Sequence, residues 1–326
     1  MATPKVTGNE TGRVPAPAVE HREGASRRSR LLAVFLRVFV RPVLAAYGRL
    51  PKLPWPFGLI DRMAFVLRAR HGTERSAVRL PNCRAEWVHA KGAGSRRAVL
   101  YLHGGAFVCC GLRTHRRLAS EMSAAAGGPV LNVDYRMLTA AVPISAAVAD
   151  GVDGYRWLLD QGFGREEIVI AGDSAGGYLA FQVALAVAGQ GLPAPAAVVA
   201  MSPLTDLDPS AKLAHPNARL DPVFPPAVLT AVGELAERVA GERGNGMSPV
   251  DADLGAMPPT LIQAGSTELL LPDAELMARR LAGAGVAVRL QVWERQVHVF
   301  QAAADLIPEG RTAIGEIRDF LDEVAG

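Results

Sequence analysis

Ser174 stands in Gly172-Asp173-Ser174-Ala175-Gly176, directly after the apolar run Ile168-Val169-Ile170-Ala171 and directly before a helix-like stretch. A serine hydroxyl becomes a nucleophile when a base takes its proton, a third group orients the base and N–H donors hold the oxyanion. Small residues two before and two after the serine let the chain bend sharply between strand and helix, leaving Oγ exposed at the end of a sheet. The pentapeptide alone arises by chance in roughly one chain of this length in ten, so its partners decide its meaning.

The donors come first. The run Ala98 to Leu102 ends in His103-Gly104-Gly105-Ala106-Phe107. Glycines let backbone N–H groups point into a pocket, so Gly104 and Gly105, with the N–H of Ala175, are the expected oxyanion donors. His103 and Phe107 are the expected substrate-binding side chains. On such a scaffold the chain order is serine, acid, histidine. Only His215 and His298 follow Ser174. His215 falls in a region without strand pattern and reads as a surface or lid histidine. His298 lies a few residues past the last strand and is the expected base. For the acid, Glu268 sits four residues past the run Thr260 to Ala264, within reach of the sheet rim. Asp273 is the alternative, although an aspartate there also suits the start of the following helix. Asp134, Arg136, Asp150 and Asp173 read as buried structural pairs near the rim. Trp293 and Phe300 read as core.

These residues need strand ends that converge. From about residue 85 short apolar runs alternate with helical stretches, the signature of a largely parallel sheet. The runs are Ala98 to Leu102, Val130 to Val133, Ile168 to Ala171, Ala197 to Met201, Thr260 to Ala264 and Val288 to Trp293, with Ala85 to Ala90 as an expected antiparallel edge strand. Val148, Val152, Tyr155 and Leu159 recur at helical spacing, and Ala175 to Gln190 is apolar all round, as a helix buried on a sheet would be. Residues 1–30 are polar and basic and are expected to be disordered. Residues 31–75 read as cap helices broken around Pro51 to Pro56. Residues 76–326 form the catalytic domain, with a helical cap insertion over 206–250.

Taken in order, several segments resemble the hormone-sensitive-lipase-like branch (family IV) of the α/β-hydrolases. They are His103-Gly104-Gly105-Ala106-Phe107, Val133-Asp134-Tyr135-Arg136, Gly172-Asp173-Ser174-Ala175-Gly176-Gly177, Ser202-Pro203-Leu204 and Val297-His298-Val299-Phe300. The resemblance implies a mostly parallel eight-stranded sheet flanked by helices, with a cap from the N-terminal segment and an insertion. It also implies a cofactor-free serine carboxylesterase acting on short-to-medium acyl esters through Ser174, His298 and Glu268. A lactone hydrolase or an N-/O-acetylhydrolase would use the same triad. A ligand-binding module on the same fold is a third reading, which the retained His298 and Glu268 oppose. The chain departs from the family at Ala106, where a third glycine is usual, and at Met137-Leu138-Thr139-Ala140, where Leu-Ala-Pro-Glu commonly follows Asp-Tyr-Arg.

Composition narrows the partners. The net charge is +3, yet residues 1–50 hold nine Lys/Arg and three Glu, a balance of +6, so the remainder sums to −3. Such a body is no nucleic-acid binder. No metal-ligand spacing and no dinucleotide motif appears. The expected partner is a small ester or lactone, and a homodimer is compatible with the sequence. Cys83, Cys109 and Cys110 read as free thiols in a cytoplasmic protein. No run of about 18 apolar residues is found, so no spanning helix is expected. Leu31 to Tyr47, interrupted by Arg37 and Arg41, reads as a basic amphipathic helix packed on the body; a membrane-surface helix or a cleaved signal are its alternatives.

Overall fold

The computed structural model describes residues 16–53, 55–139, 141–240 and 248–325, the side chains of 237–240 aside. Nine strands form one sheet in the order β1-β9-β8-β7-β6-β4-β5-β3-β2. In chain order the N-terminal part comprises β1 (Ala18–Arg22), α1 (Arg27–Phe35), a π turn (Leu36–Val40), α2 (Arg41–Arg49) and α3 (Phe57–Met63). The sheet and its helices follow: β2 (Glu74–Arg79), β3 (Arg84–His89), β4 (Ala98–Leu102), α4 (Leu112–Ala126), β5 (Val130–Asp134), α5 (Ile144–Asp160), β6 (Ile168–Asp173), α6 (Ala175–Gly189) and β7 (Ala197–Met201). After the insertion helices α7 (Ser210–Ala214), α8 (Asn217–Leu220) and α9 (Pro226–Ala240) come β8 (Thr260–Gly265), α10 (Leu271–Gly283), β9 (Val288–Trp293) and α11 (Pro308–Val324).

β4, β6, β7 and β8 are buried along their whole length. Continuous apolar strands of this kind need helices on both faces, which parallel pairing supplies. β4 through β9 pair in parallel, so their C-terminal ends share one rim. α6 follows β6 at once and packs between sheet and α5, with Leu179, Phe181 and Val183 fully buried. Each such side chain contributes about 2 kcal/mol by leaving water.

Four expectations are corrected. The sheet has nine strands rather than eight, because β1 adds in parallel to β9. Residues 18–30 are therefore ordered rather than a disordered tail, and residues 1–15 lie outside the described part. Ion pairs accompany the β1 ladder: Arg22 pairs with Glu316 at 2.8 Å and Glu20 with Arg289 at 3.3 Å. β3 is not the edge, since β2 pairs outside it and begins at Glu74, inside the segment assigned to the cap. Finally, Arg27–Arg49 runs as one helical stretch of 23 residues, long and apolar enough by length and composition to cross a membrane. Its arginines interrupt the apolar run without lowering the average enough to exclude it.

Candidate active site

Ser174 occupies a sharp bend between β6 and α6, with φ 54° and ψ −121°. A non-glycine residue in this region is strained, and the bend persists because its surroundings leave no alternative. A Cβ on Gly172 would lie 2.1 Å from the Gly176 carbonyl oxygen, and one on Gly176 would lie 1.9 Å from that of Leu102. Only glycines let strand, helix and β4 approach this closely. The β7 end locks the bend from the other side: Ser174 N–H donates to the Met201 carbonyl at 2.9 Å, and Leu204 N–H donates to the Ser174 carbonyl at 3.1 Å.

The donor loop after β4 differs from expectation at one position. Gly104 N–H donates to Asp173 Oδ1 at 3.1 Å, so it is committed inside the protein. Gly105, Ala106 and Phe107 follow with φ of 121°, 53° and 63°. Among the described residues, the N–H groups of Gly105, Ala106 and Ala175 have no acceptor, and Ala106 and Ala175 both border the cleft beside Ser174. The oxyanion donors that fit are thus Gly105, Ala106 and Ala175, displaced by one residue from the expected pair. His103 and Phe107 do not line the cleft either. His103 is fully buried, stacked on Tyr135 with ring centroids 4.3 Å apart, and Phe107 packs edge-on against Tyr178. Both support the loop from beneath.

The expected acid and base lie on the same rim. Glu268, past β8, accepts from His298 Nδ1 at 2.9 Å through Oε2. Its Oε1 accepts from Ser202 Oγ at 2.8 Å and from the Gly265 N–H. Ser202 Oγ in turn accepts from Val299 N–H at 3.0 Å, so one hydroxyl fixes both the acid and the loop of the base. His298 Nε2 is buried and has no hydrogen-bond partner among the described residues. Asp273 does something else: it pairs with buried Lys212 at 2.8 Å and accepts from the N–H groups of Thr205 and Asp206. It anchors the insertion to α10.

Against this geometry, a model of a family described as having the α/β-hydrolase fold matches residues 99–302. The chain is 45% identical over 297 residues to esterase LipU of Mycobacterium tuberculosis, covering 88% of this chain and 99% of that protein. It is 39% identical over 316 residues to carboxylesterase/phospholipase LipF of the same organism, covering 94% and 84%. A crystal structure of an esterase from the bacterial hormone-sensitive lipase family superposes with a TM-score of 0.81 at 33% identity, covering 93% of this chain and all of that one. The chain belongs to the α/β-hydrolase fold family, in its hormone-sensitive-lipase-like branch.

In this α/β-hydrolase a narrow cleft, partly open to solvent, lies above Ser174. Its walls are apolar: Leu204 from the rim, Phe224, Val228, Leu229 and Val232 from the insertion, and Leu269 and Leu270 from the acid loop. Phe224 also meets the His298 ring edge-on at 4.6 Å. The insertion is tied to the acid loop by two buried polar residues that sequence reading missed. Asn217 Nδ2 donates to the carbonyls of Ser266 and Glu268, and Asp221 Oδ2 accepts from Leu269 N–H at 2.7 Å. Their partners lie some fifty residues away, so no local pattern marks them.

Burial opposes charge on His298, but the hydrogen bond and charge of Glu268 outweigh it and raise its pKa above the ordinary histidine value. Burial pushes the Glu268 carboxyl up, against the pull of His298 and its other donors. Beneath the donor loop, burial also opposes charge on His115, yet Asp173 lifts it to about 9. His103, by contrast, is held down at about 4 by burial and by the neighbouring His115. A charged His115–Asp173 pair and a neutral His103 therefore underlie the loop at neutral pH. Asp134 and Asp150 are structural as well, pairing with Arg84 and Arg136.

Proposed function

We propose that the chain is a serine carboxylesterase that hydrolyses esters of short-to-medium acyl chains through an acyl-enzyme on Ser174. The observation that carries this reading is the His298 ring, held at Nδ1 by Glu268 while Nε2 stays unbonded. With Nδ1 held, Nε2 is the nitrogen left to take the Ser174 proton as Oγ attacks the carbonyl carbon. The N–H groups of Gly105, Ala106 and Ala175 receive the charge that develops on the carbonyl oxygen. Collapse of the tetrahedral species expels the alkoxide, which takes the proton from His298. Water then attacks the acyl-enzyme with His298 again as base, and the acid leaves as Ser174 regains its proton. Glu268 keeps the imidazole in the tautomer with Nε2 free and offsets its charge once protonated. The relatives named as esterases support the reaction type. The apolar walls supply no charged group for a polar acyl chain, which favours simple aliphatic acids. Ser174→Ala should abolish hydrolysis of p-nitrophenyl butyrate and labelling by a fluorophosphonate. Retained turnover would remove Ser174 from the mechanism, and turnover of a lactone panel in place of linear esters would redirect the substrate assignment.

A further inference from the structure

The helical stretch Arg27–Arg49 has two unlike faces. Its inner face is anchored. Ser29 Oγ, itself buried, donates to Glu309 at 2.8 Å and lies 3.0 Å from the Gln296 side-chain amide, and Arg41 donates to the Asp221 carbonyl at 3.0 Å. Leu32, Ala33 and Leu36 pack on the cluster around Trp293 and Phe300. Its outer face carries Leu31, Val34, Phe35, Val38, Phe39 and Val43, each more than half exposed. Beyond it, Met63, Phe65 and Val66 at the end of α3 and the turn after it are 64–70% exposed. Single exposed apolar residues are ordinary, whereas this many on one segment mark a surface that meets something apolar.

Charge selects the partner. Residues 24–73 contain ten Lys/Arg and a single carboxylate, Asp61, a balance of +9; with +3 overall, the other residues sum to −6. Asp61 is already engaged, accepting from the N–H groups of Arg113 and Thr114. A second copy would bring the same +9 against this face, and like charges disfavour that pairing. Residues 1–15 offer few apolar side chains and, with Lys5 and Arg13 against Glu10, add one net positive charge of the same sign. An anionic lipid surface satisfies both the apolar stripe and its basic flanks.

We infer that this face docks the protein, lying in the plane of the interface, on an anionic phospholipid bilayer. At 1.5 Å per residue the helix is about 34 Å long and could span hydrocarbon, but leaving the body would strand Ser29, Glu309 and Gln296 and uncover Leu32 and Leu36. The docked face is also close to the cleft. α2 packs on α9, with Gly48 so tight that a Cβ would lie 2.6 Å from the Ala227 backbone, and α9 presents Val228, Leu229 and Val232 to the space above Ser174. One cap layer thus separates lipid from nucleophile. The docking itself stands apart from the catalytic reading.

Flotation of the full chain with equimolar phosphatidylglycerol–phosphatidylcholine vesicles, and with phosphatidylcholine alone, tests this at about 50 mM and about 500 mM salt. Binding is expected to the anionic vesicles only, and to fall at least about tenfold at the higher salt. Arg27→Gln, Arg28→Gln, Arg62→Gln and Arg68→Gln should each lower the partition coefficient about fivefold. Phe35→Ser/Phe39→Ser should lower it at least about tenfold, with the melting temperature and gel-filtration volume unchanged. Four results overturn the inference. They are no flotation with anionic vesicles, equal binding to both lipids, resistance of the bound protein to alkaline carbonate extraction, and a wild-type dimer that the Phe35→Ser/Phe39→Ser pair makes monomeric.

Discussion

Replacing Glu268 by glutamine changes one atom and removes one charge, and the surroundings of the carboxylate set the outcome. Both oxygens are occupied by donors: Oε2 by His298 Nδ1, Oε1 by Ser202 Oγ and the Gly265 N–H. If the new amide turns its NH₂ toward His298, Nδ1 must become the acceptor and the ring proton moves to Nε2, which can then no longer receive the Ser174 proton. If the NH₂ takes the other side, it meets the Gly265 N–H donor to donor, and a buried donor left unpaired costs about 1–3 kcal/mol. Either way the imidazolium loses its counter-charge. The matching substitution in the best-studied serine protease triad lowers kcat about 10⁴-fold. Glu268→Gln should therefore lower kcat for p-nitrophenyl butyrate by about 10³–10⁴-fold, or about 4–5.5 kcal/mol of barrier. A pH series adds a second readout. The base must be unprotonated, so kcat/KM of the wild type rises with pH through a His298 pKa above the ordinary value. Without the Glu268 charge that limb moves to lower pH. Asp273→Asn is the control: it unpairs buried Lys212, which should cost about 3–5 kcal/mol of stability while kcat of the folded protein stays within about tenfold. Activity of Glu268→Gln within tenfold of wild type, or a thousandfold loss in folded Asp273→Asn, would refute the assignment of the acid.

Two further outcomes follow from the same geometry. The folded pKa of His115 is about 9, against about 6.5 in an unfolded chain. The His115–Asp173 pair is thus fully stabilising below about pH 6.5 and loses on the order of 3 kcal/mol as pH rises to about 9. Urea midpoints should decline over this window in the wild type and change less in His115→Ala; identical slopes would count against a charged pair. Leu229→Trp fills part of the cleft, so kcat/KM for an octanoyl ester should fall at least about tenfold with the acetyl ester little changed; a uniform loss across chain lengths would place the acyl group elsewhere.

The parts of the site that sequence made legible are those fixed by local geometry. Ser174 needed only a strand, small flanking residues and a helix, and His298 needed its chain order and its place just past the last strand. Glu268 was preferred, yet Asp273 stayed open beside it, because the residue that occupies Asp273 is Lys212, in an insertion sixty-one positions earlier. In the donor loop the expected Gly104 N–H is engaged inside the protein, because its acceptor is a side chain on the neighbouring strand. Strand register decides that contact, and composition carries no trace of it. His103 and Phe107 sit at the right place in the chain, but their side chains turn beneath the loop. β1 escaped notice because an edge strand is half solvated and protected by charge. Glu20 and Arg22, which hold it, make its sequence look like a polar tail.

The link from Gly104 to Asp173 also divides what can vary from what cannot. On the proposed mechanism, donor loop and nucleophile are joined through adjacent strands, so the chemistry is inherited as one piece with the sheet. The walls that choose the acyl group come largely from the insertion, through Phe224, Val228, Leu229 and Val232. Substrate range can therefore drift, or be grafted from one relative to another, without disturbing the reacting atoms. The freedom has two fixed points. Asn217 and Asp221 belong to the same insertion and hold the backbone of Glu268 and Leu269, so a transplanted cap must carry them or lose its acid.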